Sequence, residues 1–322
     1  MTTSYLGEVF ALLTALSWSI GIFPFTEAAR RLGPNEVNHF RLLLAVVFLA
    51  LIFVFATSQS PLALFTSSLP EQWLWFGISG VLGLALGDYF GFTAYAILGN
   101  RVASIFSTLA PGAALLLGYI ILGERMNWLG VVGMAITLSG IAWVTLSKKE
   151  KAKLPESNFG KIEKGILFGV LSALCQGGGL VFAKKGMAYK INAEQISAIH
   201  ATFIRVLVAT VITYGITICM GRLKQINQPI KENKNQGIKY AIAGTVFGPV
   251  LGVIFSMQAV AMINVSVAQT IFSLVPIIVL LIGYFLYKEK ISAKAALGAV
   301  IAITGVVILI WRNELTQLRL PI

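Results

Sequence analysis

Apolar stretches long enough to cross a hydrocarbon core of roughly 30 Å recur along the whole chain, parted by short polar breaks. The pattern predicts ten helices. Five lie at about 6–25, 37–57, 73–96, 102–122 and 128–146, and five at about 165–183, 195–220, 238–261, 265–286 and 293–311. The stretch 147–164 is the most polar and joins the two sets; 221–237 is the other long polar loop. The expected fold class is an all-α integral membrane protein with ten transmembrane helices. The opening residues MTTSYLGEVF lack the basic start of a cleaved signal peptide, so the first apolar span is expected to stay in the membrane.

The two sets of helices repeat each other. PGAALLLGYIILGER, from Pro111 to Arg125, returns as PIIVLLIGYFLYKEK, from Pro276 to Lys290, at an offset of 276 − 111 = 165 residues. Gly118 pairs with Gly283, Tyr119 with Tyr284 and Glu124 with Glu289. Ser79, Gly83, Gly87 and Gly91 form a stripe of small residues at every fourth position, matched at the same offset by Gly244, Gly248, Gly252 and Ser256. Such stripes let a neighbouring helix approach closely. Gly133 matches Gly298, and Gly140 matches Gly305. The expected organisation is a five-helix repeat over 1–146, a polar linker over 147–164 and a second repeat over 165–322. An odd number of crossings places the second half upside down relative to the first. The pattern therefore predicts inverted repeats about a pseudo-two-fold axis in the membrane plane, the build of many secondary transporters.

Composition fits a membrane setting. Of 322 residues, 57% are hydrophobic and 12% charged, with a mean hydropathy of +0.83. A soluble domain carries roughly twice that charge. The net charge of +12 would point to nucleic acid in a soluble protein. Here the basic residues stand between apolar spans, where they orient the chain and touch anionic lipid. No nucleic-acid partner is expected. The loops after the first, third, fifth, seventh and ninth helices hold most of the Lys and Arg, which puts the 147–164 linker in the cytoplasm and both termini outside. Cys175 and Cys219 fall in apolar spans and read as small buried hydrophobes, with no disulfide and no metal. No HExxH, CxxC, nucleophile elbow or P-loop lysine is present, so neither an enzyme nor a cofactor is expected and transport would draw on a gradient.

The chain resembles the drug/metabolite transporter superfamily, in particular its EamA-type ten-helix members. The resemblance rests on Arg41 and Arg205 entering the second helix of each half, and on Pro111 and Pro276 midway along the fourth and ninth. It rests too on the glycine and glutamate that close those helices, and on the pair GVVGMAITLSGIAWV and GAVIAITGVVILI. Lys288 stands where the first copy has Gly123, a departure from the repeat. The resemblance implies export or exchange of a small metabolite, amino acids among them.

An ionisable side chain at bilayer depth is costly and marks function by default. Asp88 lies well inside the third helix, beside Tyr89, and its repeat mate is Val253. It is the candidate to bind a substrate amine or to carry a proton, since a buried carboxylate can hold and exchange one. Arg205, about ten residues into its helix, is the candidate grip for a carboxylate or phosphate. Arg41, closer to a helix end, is assigned a structural role. His200 is a second candidate proton carrier. Gln176 precedes Gly177, Gly178 and Gly179, a run that marks a kink, a break or a very close approach. Trp18 holds a comparable place in the first helix, and Gln258 and Gln269 flank the turn between the eighth and ninth. Pro111 and Pro276 each remove a helical hydrogen bond and are expected to bend their helices outward around a central chamber.

These residues lead to a multi-pass protein of the inner or plasma membrane, a monomer or weak homodimer. It would move a small polar or amphipathic metabolite by alternating access, with Trp18, Asp88, Tyr89, Gln176, Arg205, Gln258 and Gln269 as substrate-binding candidates. One rival is a flippase for a polyprenyl-phosphate or other lipid-linked substrate. Another is a membrane enzyme or a non-transporting scaffold.

Overall fold

The computed structural model describes residues 5–147, 161–191, 194–224, 226, 237–288 and 291–317. Most of the 147–164 linker and of the 221–237 loop, and Glu289, lie outside the described residues. Among the described residues ten helical spans are long and apolar enough to cross a membrane, and they follow the order read from the sequence.

Helix α1 (Leu6–Leu32) runs through Pro24 and a turn or two past its expected end. Gly33, at φ 98°, separates it from α2 (Pro34–Thr57); that backbone angle is open to glycine and strained for other residues. A single turn, α3 (Ala63–Thr66), leads to the third crossing. This crossing consists of α4 (Pro70–Gly80), a π-helical segment (Val81–Leu86) and α5 (Gly87–Ser107). The helix does not stop near 96 as expected but continues to Ser107. The chain nonetheless reverses within it: Gly91 faces Ser172, Ile97 and Leu98 face Gly165, and Phe106 comes back to Gly169.

The fourth crossing continues as α6 (Ala110–Leu122), and α7 (Trp128–Ser147) closes the first half. The second half starts with α8 (Ile162–Met187). A two-residue ladder, β1 (Lys190–Ile191) with β2 (Glu194–Gln195), leads into α9 (Ala198–Cys219). The eighth crossing is α10 (Ile238–Thr245), a π-helical segment (Val246–Gly252) and α11 (Val253–Met262). The ninth is α12 (Val265–Phe272) and α13 (Val275–Tyr287), followed by α14 (Ala293–Ile310) and the short α15 (Arg312–Gln317).

Both π-helical segments begin at positions 165 residues apart, Val81 and Val246. Neither was legible in the sequence. The matched prolines also act differently from expectation. The helix breaks at Thr108–Leu109 and again at Ser273–Leu274, and Pro111 and Pro276 occupy the second position of the helix that restarts. Proline has no N–H to donate to an earlier turn, and at a helix start none is needed. The prolines thus begin helices and do not bend continuous ones.

Small residues set the closest packing. A methyl group at Gly133 would stand 2.9 Å from the Gly305 carbonyl oxygen, and one at Gly140 would stand 2.7 Å from that of Gly298. Helices α7 and α14 therefore run antiparallel, each glycine facing the repeat mate of the other. The stripe at Ser79, Gly83, Gly87 and Gly91 packs on α8, with the Ser79 hydroxyl donating to the Gly179 carbonyl and that of Ser172 to the Gly87 carbonyl at 2.8 Å. The matching stripe packs on α1: Gly244 and Gly248 lie under Phe25, and Gly252 under Trp18. Gly177, Gly178 and Gly179 sit in an unbroken α8, so of the three readings close approach is the one observed. Cys219 is exposed at the end of α9, contrary to the expectation of burial, and Cys175 is half-buried.

Candidate functional site

A cavity of about 690 Å³ lies between the halves. Its wall takes Trp18, Phe25 and Arg41 from α1 and α2, Asp88 from α5, and Ser172 and Gln176 from α8. Gln269, Phe272, Ser273 and Pro276 come from α12, α13 and the break between them. Ser107 and Ala110 flank the corresponding break in the first half. Both interruptions therefore open onto the cavity. Val144 and Thr145, in the last turn of α7, and Gly169, near the start of α8, complete its linker-side rim. The cavity thus occupies the half of the bundle nearest the linker.

Its centre is polar. Arg41 pairs with Asp88 through Nη2 and the carboxylate Oδ2. The Gln176 amide donates to the other carboxylate oxygen at 3.1 Å and to the Gly83 carbonyl at 3.2 Å. Arg41 Nε donates to the Asn38 side-chain oxygen at 2.9 Å, and its guanidinium lies 5.8 Å from the centre of the Phe25 ring. The side chains of Arg41 and Asp88 remain 16% and 17% accessible, so the pair opens onto the cavity. Trp18 meets Phe272 edge-on, with ring centres 5.3 Å apart, as an aromatic wall beside the pair. Gln269 is 9% exposed, and its side-chain oxygen has no hydrogen-bond partner among the described residues.

The cavity unites Trp18, Asp88, Gln176 and Gln269, and adds Arg41, which the sequence placed near a helix end and gave a structural role. Because α2 starts at Pro34, Arg41 stands two turns inside the helix and reaches Asp88. The other candidates stand elsewhere. Arg205 is 3% exposed and donates from Nη1 to the Met257 sulfur at 3.1 Å, with Nε unpartnered among the described residues. His200, 4% exposed, bonds through Nε2 to the Ser68 hydroxyl and the Leu64 carbonyl, both at 2.9 Å, at the end away from the cavity. Tyr89 is 58% exposed and clusters with Phe90 and Phe168. Gln258 is half-buried off the wall, and Pro111 and the three glycines are packed behind it. Phe25, Ser172, Phe272 and Ser273 were missed; as common apolar or small polar residues in apolar spans they gave no signal.

The end opposite the cavity is fastened. Glu124 pairs with Lys184 at 2.6 Å and accepts the Val265 amide at 2.9 Å on its second oxygen. Lys184 also donates to the Ile263 carbonyl at 2.7 Å, and Asn264 donates to the Arg125 carbonyl at 3.1 Å. A methyl group at Gly118 would stand 3.1 Å from the Glu124 carboxylate, which explains the glycine of the repeated motif. This clasp ties α6 of one half to α8 and α12 of the other.

Residues 5–146 and 163–311 each match the EamA-like transporter family. An uncharacterized transporter of Haemophilus influenzae is 23% identical over 201 residues. That match covers 59% of this chain and 59% of the relative's length. One solved crystal structure superposes with a TM-score of 0.71 at 16% identity, over 98% of this chain and 99% of that one. At such identity the likeness shows the fold.

Proposed function

The chain belongs to the EamA-like transporter family, a multi-pass membrane protein that moves a solute, and from that premise we propose that it exports a small zwitterionic metabolite. An amino acid or a related solute crosses the plasma membrane by alternating access. The halves, 1–146 and 165–322, act as inverted repeats joined by the linker 147–164. The antiparallel pairing of α7 with α14 and the matched π-helical segments support this reading.

The observation that carries the substrate class is the Arg41–Asp88 pair on the cavity wall, braced by Gln176 and flanked by Trp18 and Phe272. A cation and an anion held side by side match a solute bearing both charges: its carboxylate goes to the guanidinium, its ammonium to Asp88. The aromatic wall takes its apolar part. With the linker in the cytoplasm, the cavity loads from inside and the Glu124–Lys184 clasp closes the outer end. Proton coupling falls to Asp88, the acid at the centre of the cavity; transport by Asp88→Asn with an unaltered pH dependence removes that role.

Thermal-shift screening of the purified protein tests the substrate class, because a ligand of the folded state raises its apparent stability. The panel is amino acids, sugar phosphates, nucleotide sugars and polyprenyl phosphates. A shift with an amino acid, lost in Arg41→Gln and in Asp88→Asn, supports the reading. A shift confined to polyprenyl phosphates replaces it with a flippase.

A further inference from the structure

Arg205 is the repeat counterpart of Arg41, at a spacing of 205 − 41 = 164 residues, yet the two guanidiniums have unlike surroundings. Arg41 meets a carboxylate on the cavity wall. The Arg205 backbone packs against Gly80, and its guanidinium lies beside Gly83 and the sulfur of Met257, with one nitrogen unpartnered and no ion pair among the described residues. An arginine stays charged in a protein, and an unpaired buried charge is costly. The packing offers no return for that cost in the present state.

The repeat indicates where a return arises. Gly7 packs on Met262 and Ile263, and Gly165 packs on Ile97 and Leu98, the positions 165 residues earlier. Helix α1 is therefore the counterpart of α8 at a spacing of 165 − 7 = 158, which makes Trp18 the counterpart of Gln176. Inverted repeats face the other way when the halves trade conformations. In that state Arg205 takes the place on the cavity wall that Arg41 holds now. Val253 stands there in place of Asp88, and Trp18 in place of Gln176. The guanidinium then meets water with no acid beside it. Arg41 withdraws together with Asp88, as a pair of no net charge.

We propose that Arg205 is a second oxyanion site, closed in the present state and opened on the face of the Glu124–Lys184 clasp. It binds a carboxylate or a phosphate through the two-pronged edge of the guanidinium. The inference rests on the alternating-access reading above and adds a difference between the faces. The linker-side site is a neutral pair suited to a zwitterion, whereas the clasp-side site is cationic and suited to an anion.

The test uses the full chain in sealed vesicles. Arg205 is modified with a membrane-impermeant sulfonated phenylglyoxal, applied from either face and read at that residue by mass spectrometry. Benzoate and inorganic phosphate are the protecting probes and benzylamine the control. Alternation is followed separately by an impermeant maleimide in a Cys175→Ala, Cys219→Ser background, at Val279→Cys on the present cavity wall for the linker face and at its repeat counterpart Ala114→Cys, buried in the present state, for the clasp face. The expected result is modification of Arg205 from the clasp face alone. Saturating benzoate or phosphate abolishes it and benzylamine does not, and whichever protects identifies the oxyanion. If Val279→Cys is labelled from the linker face and Ala114→Cys from the clasp face while Arg205 stays unmodified, or is modified without protection by either anion, the second site is overturned and alternating access stands. Labelling of Val279→Cys from the linker face with none of Ala114→Cys from the clasp face overturns alternating access, and the second site with it.

Discussion

Asp88 and Arg41 hold each other in place, and either left alone is a charge at depth. Asp88→Ala removes the counter-ion and the Gln176 acceptor together. Its expected cost is about 2 kcal/mol, below the roughly 3–5 kcal/mol of a fully buried pair because both side chains remain partly accessible from the cavity. The double variant Asp88→Ala/Arg41→Met should cost less than the sum of the two single changes. Unfolding midpoints of the four proteins in one detergent check this; additive losses would mean that the pair contributes no coupling. A second residue-scale prediction concerns Lys288, which ends α13 at φ 53° where its counterpart Gly123 ends α6 at φ 67°. The left-handed region costs a side-chain-bearing residue roughly 1–2 kcal/mol. Lys288→Gly should therefore stabilise the protein by about 1 kcal/mol, read as a raised midpoint. The sequence marked Lys288 as a departure from the repeat, and Asp88 by its depth. It ranked Arg205 above Arg41 because depth is legible in a sequence, whereas the rotation of a helix about its own axis is set by its neighbours.

Whole elements were legible wherever the spacing of small residues fixes the packing. The stripes at 79–91 and 244–256 announced close approach, and each lies against a helix of the other half, α8 or α1. A methyl group at Gly179 would stand 2.9 Å from the Gly83 amide nitrogen, a backbone atom with nowhere to retreat. Gly179→Ala is expected to push α8 away from the π-helical segment at a cost of about 1–3 kcal/mol, and to lower transport. Gly215, on α9, has nothing within 4 Å of the same position. Gly215→Ala should be neutral or gain up to roughly 1 kcal/mol from helix propensity. Equal midpoints for the two variants would show that the stripe is not tightly packed. The π-helical segments escaped notice because one extra residue per turn barely disturbs an apolar run; only the second contains a proline, Pro249. Pro111 and Pro276 were visible, but a proline bends a continuous helix or starts a new one according to what lies before it. Here Thr108–Leu109 and Ser273–Leu274 break the helix first.

At the scale of the molecule the duplication is written in the sequence, but the face on which the cavity opens is not. Under the alternating access proposed above, one sequence serves both states, so the open side belongs to the state. The clasp is what the present state adds: Glu124 to Lys184, Glu124 to the Val265 amide and Lys184 to the Ile263 carbonyl. The two Glu124 contacts join the end of α6 to elements of the other half, and the third holds Lys184 in place within that half, at the end that has to part when the cavity opens there. Glu124→Gln keeps the shape and removes the charge. Hydrogen bonds to charged groups contribute roughly 1.5–3 kcal/mol, and 1.4 kcal/mol is a factor of ten in population. Loss of the charge should therefore shift the balance toward the clasp-open state by about tenfold to a hundredfold. Maleimide labelling of Ala114→Cys from the clasp face should rise and that of Val279→Cys from the linker face should fall. Glu71→Gln, at an exposed acid near the same end, should leave both rates alone. If Glu124→Gln also leaves both unchanged, the clasp fastens the fold without gating it, and the barrier on that face must come from the apolar packing of Gly7 against Met262 and Ile263.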